Sequence, residues 1–315
     1  MKSSHTKSSS TSRSPAMHYL GPGDKIGEGD TELVLSILPP ELADAAFENM
    51  RQEVRWHSMY HRGGEVPRLV AVEGEVDETD GSFPIYRHPA DESPPLRPFS
   101  PTVALIRRHV ESVLKHPVNH VLIQHYRSGA DYISEHSDKT IDVVPGSRIV
   151  NVSIGAQRVM TLRTKKDVLS GVPHPDAALD ANDTVSMAEK RSAQRIPLPH
   201  NSMFVMGLQT NAKWMHGIRT DKRVPTAKSP AEVFNNQERI SLTFRQIGTF
   251  LSADQSRIYG QGAKGKTKED ARPIVEGGRE AEKLIAAFGN ENHQSDFDWQ
   301  ANYGEGFDVL HFTRK

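Results

Sequence analysis

The sequence predicts an α+β protein, with two amphipathic helices leading into a run of short β-rich segments. Three observations carry that expectation. Apolar residues recur at helical spacing over residues 41–50 and 101–114, the period switches to two between residues 121 and 245, and Gly, Pro or Asn bound the later segments. Short strands in such a run form a sandwich or a barrel. A chain of 315 residues suits one main domain with appendages.

Residues 1–20 are read as a disordered tail, because Met1 to Pro15 is rich in serine and lacks the apolar segment of a secretory signal. Pro39-Pro40 then opens a helix with Leu42, Ala46, Phe47 and Met50 on one face. Over Pro101 to Leu114, residues Val103, Ile106, Val110, Val113 and Leu114 make a second stripe suited to packing on a sheet. Strands are expected at Val121 to Tyr126, Arg148 to Ile154, Val159 to Arg163, Asn201 to Met206 and Arg239 to Arg245. Asp167 to Gln194, with Gly171, Pro173 and Pro175, reads as an insertion loop. Past Gln246, Ser252 to Lys268 reads as a linker and Glu280 to Phe288 as a helix with Ala281, Leu284, Ile285 and Phe288 on one side. An aromatic-rich tail from Phe297 to Phe312 is expected to dock on the strands.

Composition removes several classes of function. There is no cysteine, which excludes disulfides, Cys-zinc sites and thiol nucleophiles. The longest apolar stretches fall far below the roughly 18 residues of a membrane-spanning helix, so no membrane partner is expected. Net charge is −1, which does not indicate a globally basic nucleic-acid binder. The charge is unevenly placed, however. Asp24 to Glu53 carries eight acidic and two basic residues, whereas Pro95 to Lys166 carries eleven basic and five acidic, so a locally positive face is possible.

The candidate chemistry sits on the strands. In His136-Ser137-Asp138 the two-residue step projects an imidazole and a carboxylate to one face of extended chain. With His216, which follows a predicted strand and loop, they make the two-His-one-carboxylate set of non-haem Fe(II) oxygenases. The pattern alone leaves an ordinary surface pair open, since the chain has 15 histidines. The last strand adds weight. At period two, Arg239, Ser241, Thr243 and Arg245 share a face, and two inward arginines are costly to desolvate unless they meet anions. A dicarboxylate cosubstrate answers that cost through the guanidinium fork. Gln124 and Tyr126 alternate likewise and can contact the same ligand, although Tyr126 as core and Arg245 paired with a buried acid stay open.

The series of segments resembles the AlkB family of iron and 2-oxoglutarate dioxygenases. The likeness runs through Asn119 to Ala130, His136 to Lys139, Pro145 to Arg158, Ile196 to Ser202, Trp214 to Gly217 and Arg239 to Gln246, covering roughly residues 30–248. It implies a double-stranded β-helix, or jelly-roll, at 119–248, preceded by helices and a lid at 30–118 and followed by an extension at 249–315. His136, Asp138 and His216 would bind Fe(2+). Arg239 would hold the distal carboxylate of 2-oxoglutarate, with Gln124, Tyr126, Thr243 and Arg245 completing the pocket. The implied reaction consumes O2 and 2-oxoglutarate and hydroxylates a C–H bond, releasing succinate and CO2. Retention of Asp138 favours hydroxylation over halogenation.

The family's substrate class implies N-alkylated bases of single- or double-stranded DNA or RNA, flipped out for oxidation of the alkyl carbon and loss of an aldehyde. A lid over Val66 to Arg97 would then offer Arg68, Tyr86 and His88 to the base, and Arg148, Arg158, Arg163, Lys165 and Lys166 would line a strand-binding edge. Thr140 stands where related repair enzymes carry a base-contacting acid, and Gln124 and Ser241 where asparagines are usual. Thr140, the acidic stretch Glu73 to Glu92 in the lid and the extra C-terminal region keep an alternative, hydroxylation of a small metabolite or a protein side chain. A monomer acting in the nucleus or cytoplasm is the accompanying expectation.

Overall fold

In the computed structural model the described residues are 18–61, 64–90, 92–169, 191–311 and 313–314. The large sheet has seven strands: β1 (Glu32–Leu35), β2 (Leu69–Gly74), β3 (Leu96–Pro98), β4 (His120–Tyr126), β6 (Ile149–Gly155), β9 (Ser202–Met206) and β11 (Arg239–Arg245). Their order is β1-β9-β6-β11-β4-β2-β3. Facing it is a four-stranded sheet of β5 (Ile133–His136), β7 (Arg158–Thr164), β8 (Ala193–Leu198) and β10 (Trp214–Ile218), in the order β8-β7-β10-β5. Two facing sheets of mostly antiparallel strands are a jelly-roll layout, so the α+β expectation holds.

Alternation along the strands builds two cores. Ile240, Leu242 and Phe244 of β11, Val150, Val152 and Ile154 of β6 and Val121 and Ile123 of β4 point to one side. There α1 (Pro40–Glu53) and α2 (Pro101–Leu114) cover them with Ala43, Ala46, Phe47 and Met50 and with Val103, Ile106 and Val110. Each helix starts on a proline, where the missing N–H is no loss. Val113 was expected in the α2 stripe but is 40% exposed, while Leu114 beside it packs against the core. The opposite face of the large sheet meets the small one over Tyr126, Ile149, Phe204, Met206, Met160, Leu162, Ile196 and Trp214. Arg239, Ser241, Thr243 and Arg245 look into this inter-sheet space.

Short helices α3 (Leu208–Lys213) and α4 (Pro230–Val233) connect later strands, and α5 (Gly278–His293) and α6 (Trp299–Tyr303) follow them. Several expectations need correction. Leu20, assigned to the tail, donates its N–H to Arg195 O, while residues 1–17 lie outside the described set. Most of the insertion, residues 170–190, also lies outside it, and its end at Ala193 already belongs to β8. Both ends of the expected lid at 66–97 belong to the large sheet, as β2 and β3. Ser252 to Lys268 is no linker: Arg257–Gly260 pairs with Thr249–Leu251, which pairs with Phe83–Pro84 of the lid. In α5, Ala281, Leu284 and Phe288 are buried against Ile141 and Tyr303, but Ile285 is exposed.

Candidate active site

The small sheet positions two imidazoles. His136 ends β5 and lies directly across from His216 in β10, with ring centroids 4.4 Å apart. Asp138 follows two residues on, and its Oδ1 is 3.7 Å from His136 Nε2 and 3.6 Å from His216 Nε2. One ligand atom from each residue lies within 4.8 Å of the others, a spacing that one metal ion can bridge. His136 Nδ1 sits 2.8 Å from Ser134 O, which fixes the tautomer that leaves Nε2 free of a proton. Burial pushes the His216 imidazole down to about 3, with neighbouring His136 adding to the effect, and burial also lowers His136. Both rings are therefore neutral ligands at ordinary pH.

Asp138 is held from three sides. Burial would raise its carboxyl, but the Arg245 guanidinium and the two imidazoles outweigh that and keep it well below the usual carboxylate range. Arg245 Nε and Nη2 both donate to Oδ2, at 2.8 and 2.5 Å, which leaves Oδ1 for the metal. The same guanidinium stacks on Tyr86 at 4.0 Å, and the Tyr86 hydroxyl accepts the Lys139 N–H. On the backbone, Asp138 N donates to Asn211 Oδ1 and Asn211 Nδ2 donates back to Asp138 O, at 2.8 and 3.0 Å. Asn211 is fixed in turn because Asp30 accepts the Gln209 N–H at the start of α3.

Deeper between the sheets lies Arg239, 1% exposed. Its Nη2 donates to Asn151 Oδ1 at 2.9 Å and Ser153 Oγ at 2.7 Å, and its guanidinium carbon lies 5.2 Å from the centre of the Tyr126 ring. Among the described residues Nε and Nη1 have no hydrogen-bond partner, and no carboxylate pairs with the group. Burial lowers it to about 10. A buried cation with two orphaned donors fits a carboxylate ligand. Gln124, Tyr126, Thr243 and Arg245 line the same cavity, which continues to His136, Asp138 and His216. The donor set therefore fits both Fe(2+) and 2-oxoglutarate.

A larger cavity of about 560 Å³ opens outward from the metal ligands. Arg68, Tyr86 and His88 line it, as the lid reading expected, together with Tyr132, Lys139, Ile285 and His293. Arg68 Nη1 donates to Tyr132 O at 2.8 Å, while its buried Nε has no partner among the described residues. Burial pushes His88 down to about 3, so its ring is neutral.

Two expected substrate contacts are corrected. Thr140 turns away from this mouth, because its N–H and hydroxyl both donate to Glu291 Oε1. Arg158 is 6% exposed and donates to the carbonyls of Ser128, Asp131 and Arg219, so it braces loops and offers nothing to a strand. Lys165 is buried on Glu291 O and Gln294 O, and Arg163 pairs with Glu135, so of the expected basic edge only Arg148, paired with Glu32, and Lys166 stay exposed. Sequence reasoning missed Asn151, Ser153 and Asn211. The first two were legible, since they interrupt the apolar alternation of β6 on the face turned to Arg239. Asn211 gave no local signal.

The chain is similar to known proteins over the region that carries this site. Residues 30–245 match the family described as the 2OG-Fe(II) oxygenase superfamily. The human DNA oxidative demethylase ALKBH2 is 29% identical over 212 residues, covering 65% of this chain and 69% of that protein. The bovine alpha-ketoglutarate-dependent dioxygenase alkB homolog 3 is 26% identical over 209 residues, covering 65% and 62%. The solved structure of OsALKBH1 aligns with a TM-score of 0.42 at 15% identity, over 73% of this chain and 100% of that one. No helix among the described residues is long and apolar enough to cross a membrane. With the superfamily matched over more than half its length, the chain belongs to the 2OG-Fe(II) oxygenases, as an AlkB-like dioxygenase that uses Fe(2+) and 2-oxoglutarate.

Proposed function

We propose that the enzyme oxidatively removes alkyl groups from N-alkylated bases in DNA or RNA. The observation that carries this reading is the mouth cavity. At about 560 Å³ it lies within the range of about 300–1,000 Å³ typical of small-ligand sites, and it opens onto His136 and Asp138. Tyr86 and His88 line it beside the metal ligands and offer an aromatic edge and a neutral imidazole to an inserted base. The similarity to proteins named as DNA oxidative demethylases supports the same substrate class.

His136, Asp138 and His216 would hold the iron, which together with 2-oxoglutarate and O2 supplies the oxidising power for hydroxylating the alkyl carbon. The chain's own residues set where that happens. Arg239, held by Asn151 and Ser153, neutralises and orients the distal carboxylate. Arg245 fixes Asp138 with one oxygen turned to the metal, and Tyr86 backs Arg245. The hydroxylated N-alkyl group then breaks its C–N bond, the nitrogen taking the hydroxyl proton and the carbon leaving as an aldehyde. Incubation with iron, 2-oxoglutarate and a panel of methylated single-stranded DNA, duplex DNA and RNA should yield succinate and formaldehyde in step. The reading is overturned if no oligonucleotide yields formaldehyde while basal succinate release persists.

A second reading, hydroxylation of a free metabolite or a protein side chain, draws on Thr140, whose side chain faces Glu291 instead of the mouth. We also take the enzyme to act as a monomer in the nucleus or cytoplasm. Light scattering of the purified protein and imaging of a tagged chain check those two points.

A further inference from the structure

Two consecutive residues of α5, far outside the matched region 30–245, grip the loop that carries Asp138. Asn292 Oδ1 accepts the Ser137 N–H at 3.0 Å and Lys139 Nζ at 3.3 Å. Glu291 Oε1 accepts the Thr140 N–H at 3.0 Å and the Thr140 hydroxyl at 2.5 Å. The residues on both sides of the metal-binding carboxylate are thus bonded to one helix end. That end is itself anchored. Glu291 is 4% exposed, its Oε2 accepts the Tyr303 hydroxyl at 2.8 Å, and its carbonyl accepts Lys165 Nζ at 2.5 Å. Below the grip, Ala281, Leu284 and Phe288 pack against Ile141 of the same loop.

We propose that Glu291 and Asn292 are positioning residues for the iron site, so that the C-terminal region is a working part of the active centre. A carboxylate ligand must sit within a few tenths of an ångström of its place for a metal to be retained. Asp138 lies beyond the end of β5, where no strand ladder fixes the backbone. Asn211 holds its own N–H and C=O, and the α5 pair holds the neighbours on either side. The same helix lines the outer cavity with Ile285, Phe288 and His293, so the grip also fixes that wall relative to the metal.

The test measures Mn(II) affinity of the full chain by calorimetry, without oligonucleotide, alongside basal succinate release and melting temperature. Glu291→Ala and Asn292→Ala should each weaken Mn(II) binding about 10-fold or more, the size of effect typical for partners of metal ligands. Glu291→Gln keeps an oxygen for Thr140 and Asn292→Asp keeps one for Ser137, so both should stay within about 3-fold of wild type, by the same comparison. Glu282→Gln, on the solvent side of α5, is the control. Should Glu291→Ala fail to fold, the half-buried Asn292 carries the test alone. Mn(II) affinity within about 2-fold of wild type in folded Asn292→Ala would overturn the proposal. Because no base is present, this outcome is independent of whether nucleobases are the substrate.

Discussion

Arg87 offers the sharpest test of how the lid, the metal-loop region and the C-terminal region are joined. Its guanidinium and the Asp142 carboxylate are both wholly buried and meet through two contacts, Nη2 to Oδ1 at 2.6 Å and Nε to Oδ2 at 3.1 Å. The Arg87 N–H adds a third bond to Asp142 Oδ2. Its remaining donors reach Phe307 O at 2.7 Å and Gly262 O at 2.8 Å, so one side chain ties three separate parts of the chain. Arg87→Ala leaves the Asp142 carboxylate charged and buried with no cation and only the residue-87 N–H as a partner, which costs about 3–5 kcal/mol. That is a large share of the roughly 5–15 kcal/mol that holds a domain folded. Urea titration should show the midpoint falling with an unchanged slope. Arg87→Met combined with Asp142→Leu removes both charges and should recover most of the loss. A loss below about 1 kcal/mol in Arg87→Ala, or a double variant no better than the single, would refute the reasoning.

His136→Ala should abolish both Mn(II) binding and succinate release, and basal succinate at wild-type rate would contradict the assigned ligand set. Arg239→Met removes the cation facing the keto-acid pocket; at about 2–5 kcal/mol for a buried charged contact, the 2-oxoglutarate KM should rise at least about 30-fold. The wild type should also melt higher with 2-oxoglutarate present and Arg239→Met should not. Burial lowers Lys165 to about 8, so between that value and its unfolded 10.5 the folded state binds fewer protons and stability should rise with pH. The rise is at most about 3 kcal/mol and should be missing from Lys165→Met; identical pH dependence in both proteins would remove this assignment. A Cβ at Gly262 would meet Arg87 Nη2 and Asp142 Oδ1 at 2.4 Å each, so Gly262→Ala should destabilise by roughly 1–3 kcal/mol in the same urea titration.

The fold was legible where one face of an element is buried. The period-two pattern of Arg239 to Arg245 separates a core face from a polar one, and the structure places the first against the helices and the second between the sheets. His136, Asp138 and His216 could be picked out because ligand chemistry restricts residue types and the two-residue step restricts direction. The basic edge was misread because charge in sequence says nothing about burial. Arg158 and Lys165 are consumed by backbone carbonyls, an arrangement that only the closed tertiary structure creates. Ser252 to Lys268 looked like a linker for a related reason: its glycines and lysines hide a strand whose partner, Thr249–Leu251, joins it to the lid. The roles of Asn211, Glu291 and Asn292 left no pattern, since each acts through a contact distant in sequence.

The pairing of β5 with β10 has a consequence for how the enzyme matures. His136 and His216 become neighbours only through the register of those two strands, and that register is irregular just beyond His216. A slip by one residue would turn every side chain of one strand to the opposite face, dissolving the ligand set together with the packing of Trp214 and Ile218 between the sheets. The metal site and this part of the core are therefore built by one and the same strand pairing. Chains that have closed the sheet correctly gain the added stability of a bound ion, and misregistered ones do not.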